Sequence, residues 1–112
     1  MSKQDIYALS ELAAVAQTAI QQDFDNVDPV IGINRRMRKA GFPADAMTID
    51  SVSSTKRIIV LLHDDKPGDV SYQFSYKDKD PGEKFSHVPF EEVTVDKIYS
   101  WIKVYFVDDN TT

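Results

Sequence analysis

Few side chains in this sequence are equipped for chemistry. His63-Asp64-Asp65 and His87 hold the only two histidines. Two imidazoles and a carboxylate suit zinc or iron. Successive residues on a strand point to opposite sides, however, so residues 63–65 cannot close on one ion. Nothing in the spacing brings His87 to them, and a polar strand end is the simpler account. Asp23, Asp25 and Asp28 resemble the opening of a calcium loop, but the required glycine and the later bidentate glutamate are missing. Glu91 and Glu92 are neighbours, not an opposed pair for acid–base work. The glycines stand scattered at 32, 41, 68 and 82, which forms no phosphate loop. There is no Gly-x-Ser-x-Gly turn. The chain has no cysteine, which removes disulfides, thiolate metal sites and thiol catalysis. No catalytic residue, metal site or cofactor is assigned, and the inventory leans away from an enzyme.

Residues suited to recognition are better represented. Arg35, Arg36, Arg38 and Lys39 form the single basic cluster. It could meet phosphate or an acidic protein, although a solvated helix face near a helix C-terminus is the simpler account. Tyr72, Phe74 and Tyr76 alternate along one strand face, and Tyr99, Trp101 and Tyr105 crowd the C-terminal segment. Stacking on bases is one use of such a stripe, but one face of a strand is ordinarily core. Tyr and Trp are enriched at protein-binding hot spots, so Tyr72, Tyr76, Tyr99, Trp101 and Tyr105 are the candidates for an interface.

Charge narrows the partners. The net charge is −5, with 18 acidic against 13 basic residues, which argues against nucleic acid and anionic membrane surfaces. No apolar run approaches the roughly 20 residues needed to span a bilayer. The opening MSKQDIYALSELAAVAQ carries an acid where a signal peptide would be basic and then uniformly apolar. A cytoplasmic protein is expected.

The elements that must position these residues centre on Arg57 to Lys77. Ile58-Ile59-Val60-Leu61-Leu62 is the longest unbroken apolar run. It is too short for a buried helix and β-branched, so it predicts a strand covered on both faces. The second cover must come from the last helix or from a second subunit. Val70 to Lys77 alternates as a half-buried strand. Between them, Lys66-Pro67-Gly68-Asp69 has the residues of a type II turn. Met47–Val52 predicts a preceding strand. Asp78 to Glu83 predicts a turn, and Lys84–Phe90, limited by Pro89, a short edge strand.

Upstream, Ile6, Leu9, Ala13, Ala16, Ile20 and Phe24 predict an amphipathic helix over residues 3–23, capped at Ser2 with Asp5 three residues on. Asp28-Pro29 opens a second predicted helix with Val30, Ile33, Met37 and Ala40 as its stripe, ended by Gly41 and Pro43. Residues 95–107 favour strand by composition and helix by spacing. Thr94 as cap, with Val93 and Ile98 as a hydrophobic staple, favours helix over strand. Asp108 to Thr112 reads as a loose tail.

The expectation is one α+β domain over residues 1–112: an N-terminal helical hairpin, an antiparallel three- to four-stranded meander, and a C-terminal helix on one face. The expected function is protein–protein interaction without catalysis, as an inhibitor, immunity-type or regulatory protein, with a homodimer as one way to use the surface. The alternative is a small-ligand carrier or sensor with an apolar pocket between sheet and helices.

Overall fold

The computed structural model describes residues 5–79, 82 and 84–108. The expected cap at Ser2, the Pro81 part of the second turn and the tail beyond Asp108 lie outside them. The first helix, α1, spans Ile6–Asp23, and Asp5 caps it by accepting from the Ala8 N–H at 2.9 Å. Its inner stripe is the expected one: Ile6, Leu9, Ala13, Ala16 and Ile20 are buried.

The helical hairpin is not formed. Pro29–Asn34 is a strand, β1, and only one helical turn, α2, follows at Arg36–Lys39. Val30, Ile33 and Met37 have helical spacing, but Val30, Ile31 and Ile33 are β-branched and Gly32 lies among them, which weakens a helix. The next strand offers β1 a partner at every position, from Pro29↔Ser51 to Asn34↔Ala46. The Asn34 Oδ1 accepts from the Arg36 N–H at 2.8 Å, and Gly41 ends the segment with φ 98°. Deprived of a second long helix, α1 packs against the C-terminal helix.

The sheet has five antiparallel strands in the order β1-β2-β3-β4-β5, with β2 at Ala44–Ser51, β3 at Lys56–His63, β4 at Asp69–Tyr76 and β5 at Ser86–Pro89. The meander is therefore longer than expected by the strand recovered from the second helix. The β3–β4 hairpin forms as read, pairing Ile58↔Phe74, Val60↔Tyr72 and Leu62↔Val70. At its turn Gly68 takes φ 83°, and the Asp69 N–H bonds the Lys66 carbonyl at 3.2 Å, the geometry of a type II turn.

Thr94 caps α3, Val95–Ile102, through the Lys97 N–H at 3.1 Å. Val93 and Ile98 are both buried, as a staple requires. The chain then widens into a π-helical turn over Lys103–Asp108. The core lies between α1, α3 and one sheet face, where Leu9, Ile20, Met47, Ile49, Ile58, Val60, Val70 and Ile98 are fully buried. On the opposite sheet face Ile59 is also buried. There its cross-strand neighbour Gln73 donates through its Nε2 to the carbonyls of Gly82 at 3.1 Å and Lys84 at 2.9 Å. No helix among the described residues is long and apolar enough to cross a membrane.

Candidate functional site

Strand β4 gathers the aromatic residues. Tyr72 stacks on Trp101 with ring centroids 4.4 Å apart, and Phe74 stacks on Tyr105 at 4.8 Å. Tyr76 meets the edge of Tyr105 at 6.4 Å. Trp101 and Tyr105 are buried, and the Tyr105 hydroxyl donates to the Ser75 carbonyl at 2.6 Å. Lys56 donates from above to the Tyr105 carbonyl at 2.9 Å. Tyr99 sits apart, half-buried, and its hydroxyl donates to Asp23 on α1, which raises its pKa by holding the proton. Of the five interface candidates, four therefore belong to one strip and one to the α1–α3 contact.

The strip emerges at one end. Strand β5 pairs only with Asp69–Tyr72, so the second half of β4 has no strand outside it among the described residues. There Phe74 is 37% and Tyr76 40% exposed. Lys79 lies over the Tyr76 ring at 5.2 Å, and Val104 is exposed on the π-helical turn.

The basic cluster is divided. Arg38 bonds Asp45 through Nε at 2.9 Å and Asp64 through its two terminal nitrogens at 2.8 and 2.9 Å. Arg35 bonds Asp45 at 3.2 Å and stands over the Tyr7 ring at 5.9 Å. These bonds hold the carboxyls of Asp45 and Asp64 below the ordinary range, with Arg38 the chief cause for both. The same bonds raise the guanidinium pKa of Arg38, Asp64 contributing most. Asp45 is 8% exposed, so its charge is compensated on the spot. Arg36 and Lys39 point outward and carry no ion pair among the described residues.

The network forms one wall of a cleft of about 430 Å³ at the end of the sheet, with Tyr7, Leu62, His63 and Phe90 among its other lining residues. His63 and His87 share a second cleft, of about 510 Å³, with Lys66 and Lys84. The same ring nitrogen of His87, Nδ1, lies 3.0 Å from Asp69 Oδ2, which accepts from it, and 3.2 Å from Ser71 Oγ. A nucleophile relay needs hydroxyl and carboxylate on opposite ring nitrogens, so this trio does not form one. Among the described residues no group of three acidic or histidine side chains is arranged to hold a metal ion. Asp28 accepts from Gln21 rather than capping a helix.

Asp45 and Asp64 were not legible as partners of the arginines. Asp45 is the second residue of β2 and Asp64 follows β3, and only the Ala44↔His63 pairing brings them together. No family model, curated protein or solved structure matches the chain.

Proposed function

We propose that the protein works by contact with another protein, as a non-enzymatic inhibitor, immunity-type or regulatory factor of the cytoplasm. One observation carries this reading. An aromatic strip anchored in the core by Trp101 and Tyr105 surfaces at Phe74 and Tyr76, beside the half of β4 that β5 leaves unpaired. A rigid aromatic pair costs little entropy to bury against a partner, and an open strand edge supplies backbone donors and acceptors next to it. The test is retention of a protein from native extract on the immobilised chain, compared with a Phe74→Ser/Tyr76→Ser variant. A partner held by the parent and lost from the variant supports the reading. Equal retention by both removes this surface from consideration.

The second reading, carriage of a small ligand, rests on the cleft beneath Tyr7. Its volume of about 430 Å³ falls within the ~300–1,000 Å³ of ligand sites. The space between helices and sheet is filled by Leu9, Ile58, Val60 and Ile98, so a ligand would enter at the sheet's end.

A further inference from the structure

The other sheet edge, β1, is uncharged from end to end: Pro29-Val30-Ile31-Gly32-Ile33-Asn34. Natural edges are blunted by charges, bulges or an interior proline. Here the proline is the first residue, and no lysine or acid stands inside the strand. The hydrogen-bond phase of the sheet shows which backbone groups face outward. The Asp64 N–H bonds the Pro43 carbonyl at 2.8 Å, one step beyond the Ala44↔His63 pair. Odd-numbered residues of β2 therefore turn their backbone groups to β3, and even-numbered ones to β1. Carried through Gly32↔Thr48, this makes Val30, Gly32 and Asn34 bond to β2, while Pro29, Ile31 and Ile33 face away. The Pro29 carbonyl is already taken by Gln17 of α1. Among the described residues nothing outside the ladder bonds the backbone of Ile31 or Ile33.

We propose that β1 pairs with β1 of a second copy, antiparallel about Gly32, to make one continuous ten-stranded sheet. This rests on the reading of the chain as a protein-contact module but uses the opposite edge. A twofold axis normal to the sheet keeps both helical layers on one side and requires paired residue numbers that sum to an even value. Centring on Ile31 would set Ile33 against Pro29, which has no N–H to give. Centring on Gly32 sets Ile31 against Ile33 of the partner twice over, so all four outward groups of each copy's two isoleucines are satisfied. The strand ends then match in charge. Asp25 and Asp28 precede β1 while Arg36 and Lys39 follow it, all exposed. Antiparallel pairing lays the acidic end of one copy beside the basic end of the other. A foreign strand would match the backbone but has no reason to repeat that charge order. A six-residue strand buries little surface, so the dimer belongs to the weak class, under about 1,200 Å².

The test is sedimentation of the intact chain over a broad concentration series, together with disulfide trapping. The chain has no cysteine of its own, so engineered ones report cleanly. The expected result is a reversible monomer–dimer equilibrium, weakened about tenfold or more by Ile33→Pro, which removes an outward N–H from each copy without touching the β2 ladder. An unchanged far-UV spectrum and urea midpoint show that this variant folds. Gly32→Cys should trap a dimer on oxidation, because facing Cα atoms of a non-hydrogen-bonded pair lie about 4.5 Å apart. A Cβ there meets Thr48 Oγ1 at 3.3 Å, so an equimolar mixture of Val30→Cys and Asn34→Cys chains serves as the second trap. These positions also face each other, whereas Val30→Cys alone places its sulfurs four residues apart, roughly 13 Å. A chain that stays monomeric at every concentration overturns the proposal. So does trapping in the mixture no faster than in Val30→Cys alone. If either occurs while the Phe74/Tyr76 surface still retains a partner, self-pairing fails and the protein-contact reading stands.

Discussion

Asp45→Asn tests whether the arginine network holds the end of the sheet together. The Asp45 side chain is 11% exposed and receives three hydrogen bonds: Arg38 at 2.9 and 3.1 Å and Arg35 at 3.2 Å. Asparagine keeps the shape but loses the charge, and its amide can place an N–H against a guanidinium. Hydrogen bonds to charged groups contribute about 1.5–3 kcal/mol. Arg38 retains Asp64, and both arginines are about a third or more exposed, so solvent screening holds the loss toward roughly 2 kcal/mol. With an ordinary urea slope of about 1–3 kcal/mol per molar, the midpoint should fall by roughly 1 M at neutral pH. The pH dependence separates charge from shape. The folded-state pKa of Asp45 is held below its unfolded value near 3.9, chiefly by Arg38. Between those values the unfolded state binds more protons. The stabilisation is thus complete above the unfolded pKa and disappears as pH falls through the folded one. The gap between parent and Asp45→Asn should be full at pH 7 and close below about pH 4. Urea titrations across that range decide it. A gap that stays constant into acid would mean the cost is steric, and a gap under about 0.5 kcal/mol at pH 7 would refute the network's role.

Three smaller perturbations follow from single contacts. Trp101→Ala removes the ring stacked on Tyr72 and should cost about 3–5 kcal/mol by chemical denaturation. Thr94→Ala removes the acceptor of the Lys97 N–H and should cost about 1 kcal/mol, most of it restored by Thr94→Ser. Gly68→Ala forces an L side chain to φ 83° and should cost about 1–2 kcal/mol, read as a lowered thermal midpoint.

Local signals explain which elements could be read from the sequence. The β3–β4 hairpin carries its own alternation and a Pro-Gly turn, and α3 carries Thr94 with the Val93 and Ile98 staple. Each needs no knowledge of distant residues. Strand β1 is different. Asp28-Pro29 and the Val30–Ile33–Met37 spacing satisfy a helix locally, and only the ladder to β2 overrides them. Its alternation was present, with Pro29, Ile31 and Ile33 facing the helices and Val30, Gly32 and Asn34 away, but six residues carry too few turns to separate the two periods. The site divides along the same line. The strip Tyr72, Phe74, Tyr76 was visible as a pattern, whereas its stacking on Trp101 and Tyr105 depends on where α3 lands.

The same error of period also hid the meaning of the basic cluster. As the end of a long helix, Arg35, Arg36, Arg38 and Lys39 would form one solvated patch. As the turn that follows an edge strand, they sort into two pairs. Arg35 and Arg38 fold back to Asp45 and Asp64 and fix the strand's end against β2 and the end of β3. Arg36 and Lys39 stay outside, at the opposite end of β1 from Asp25 and Asp28. A net charge of −5 then coexists with a strand edge that is acidic at one end and basic at the other. Net charge governs long-range encounter, but over a strand of about 20 Å the arrangement of charges governs pairing, because screening confines each to roughly 8–10 Å. An acidic protein can therefore repel copies of itself at a distance and still accept one in a single antiparallel register.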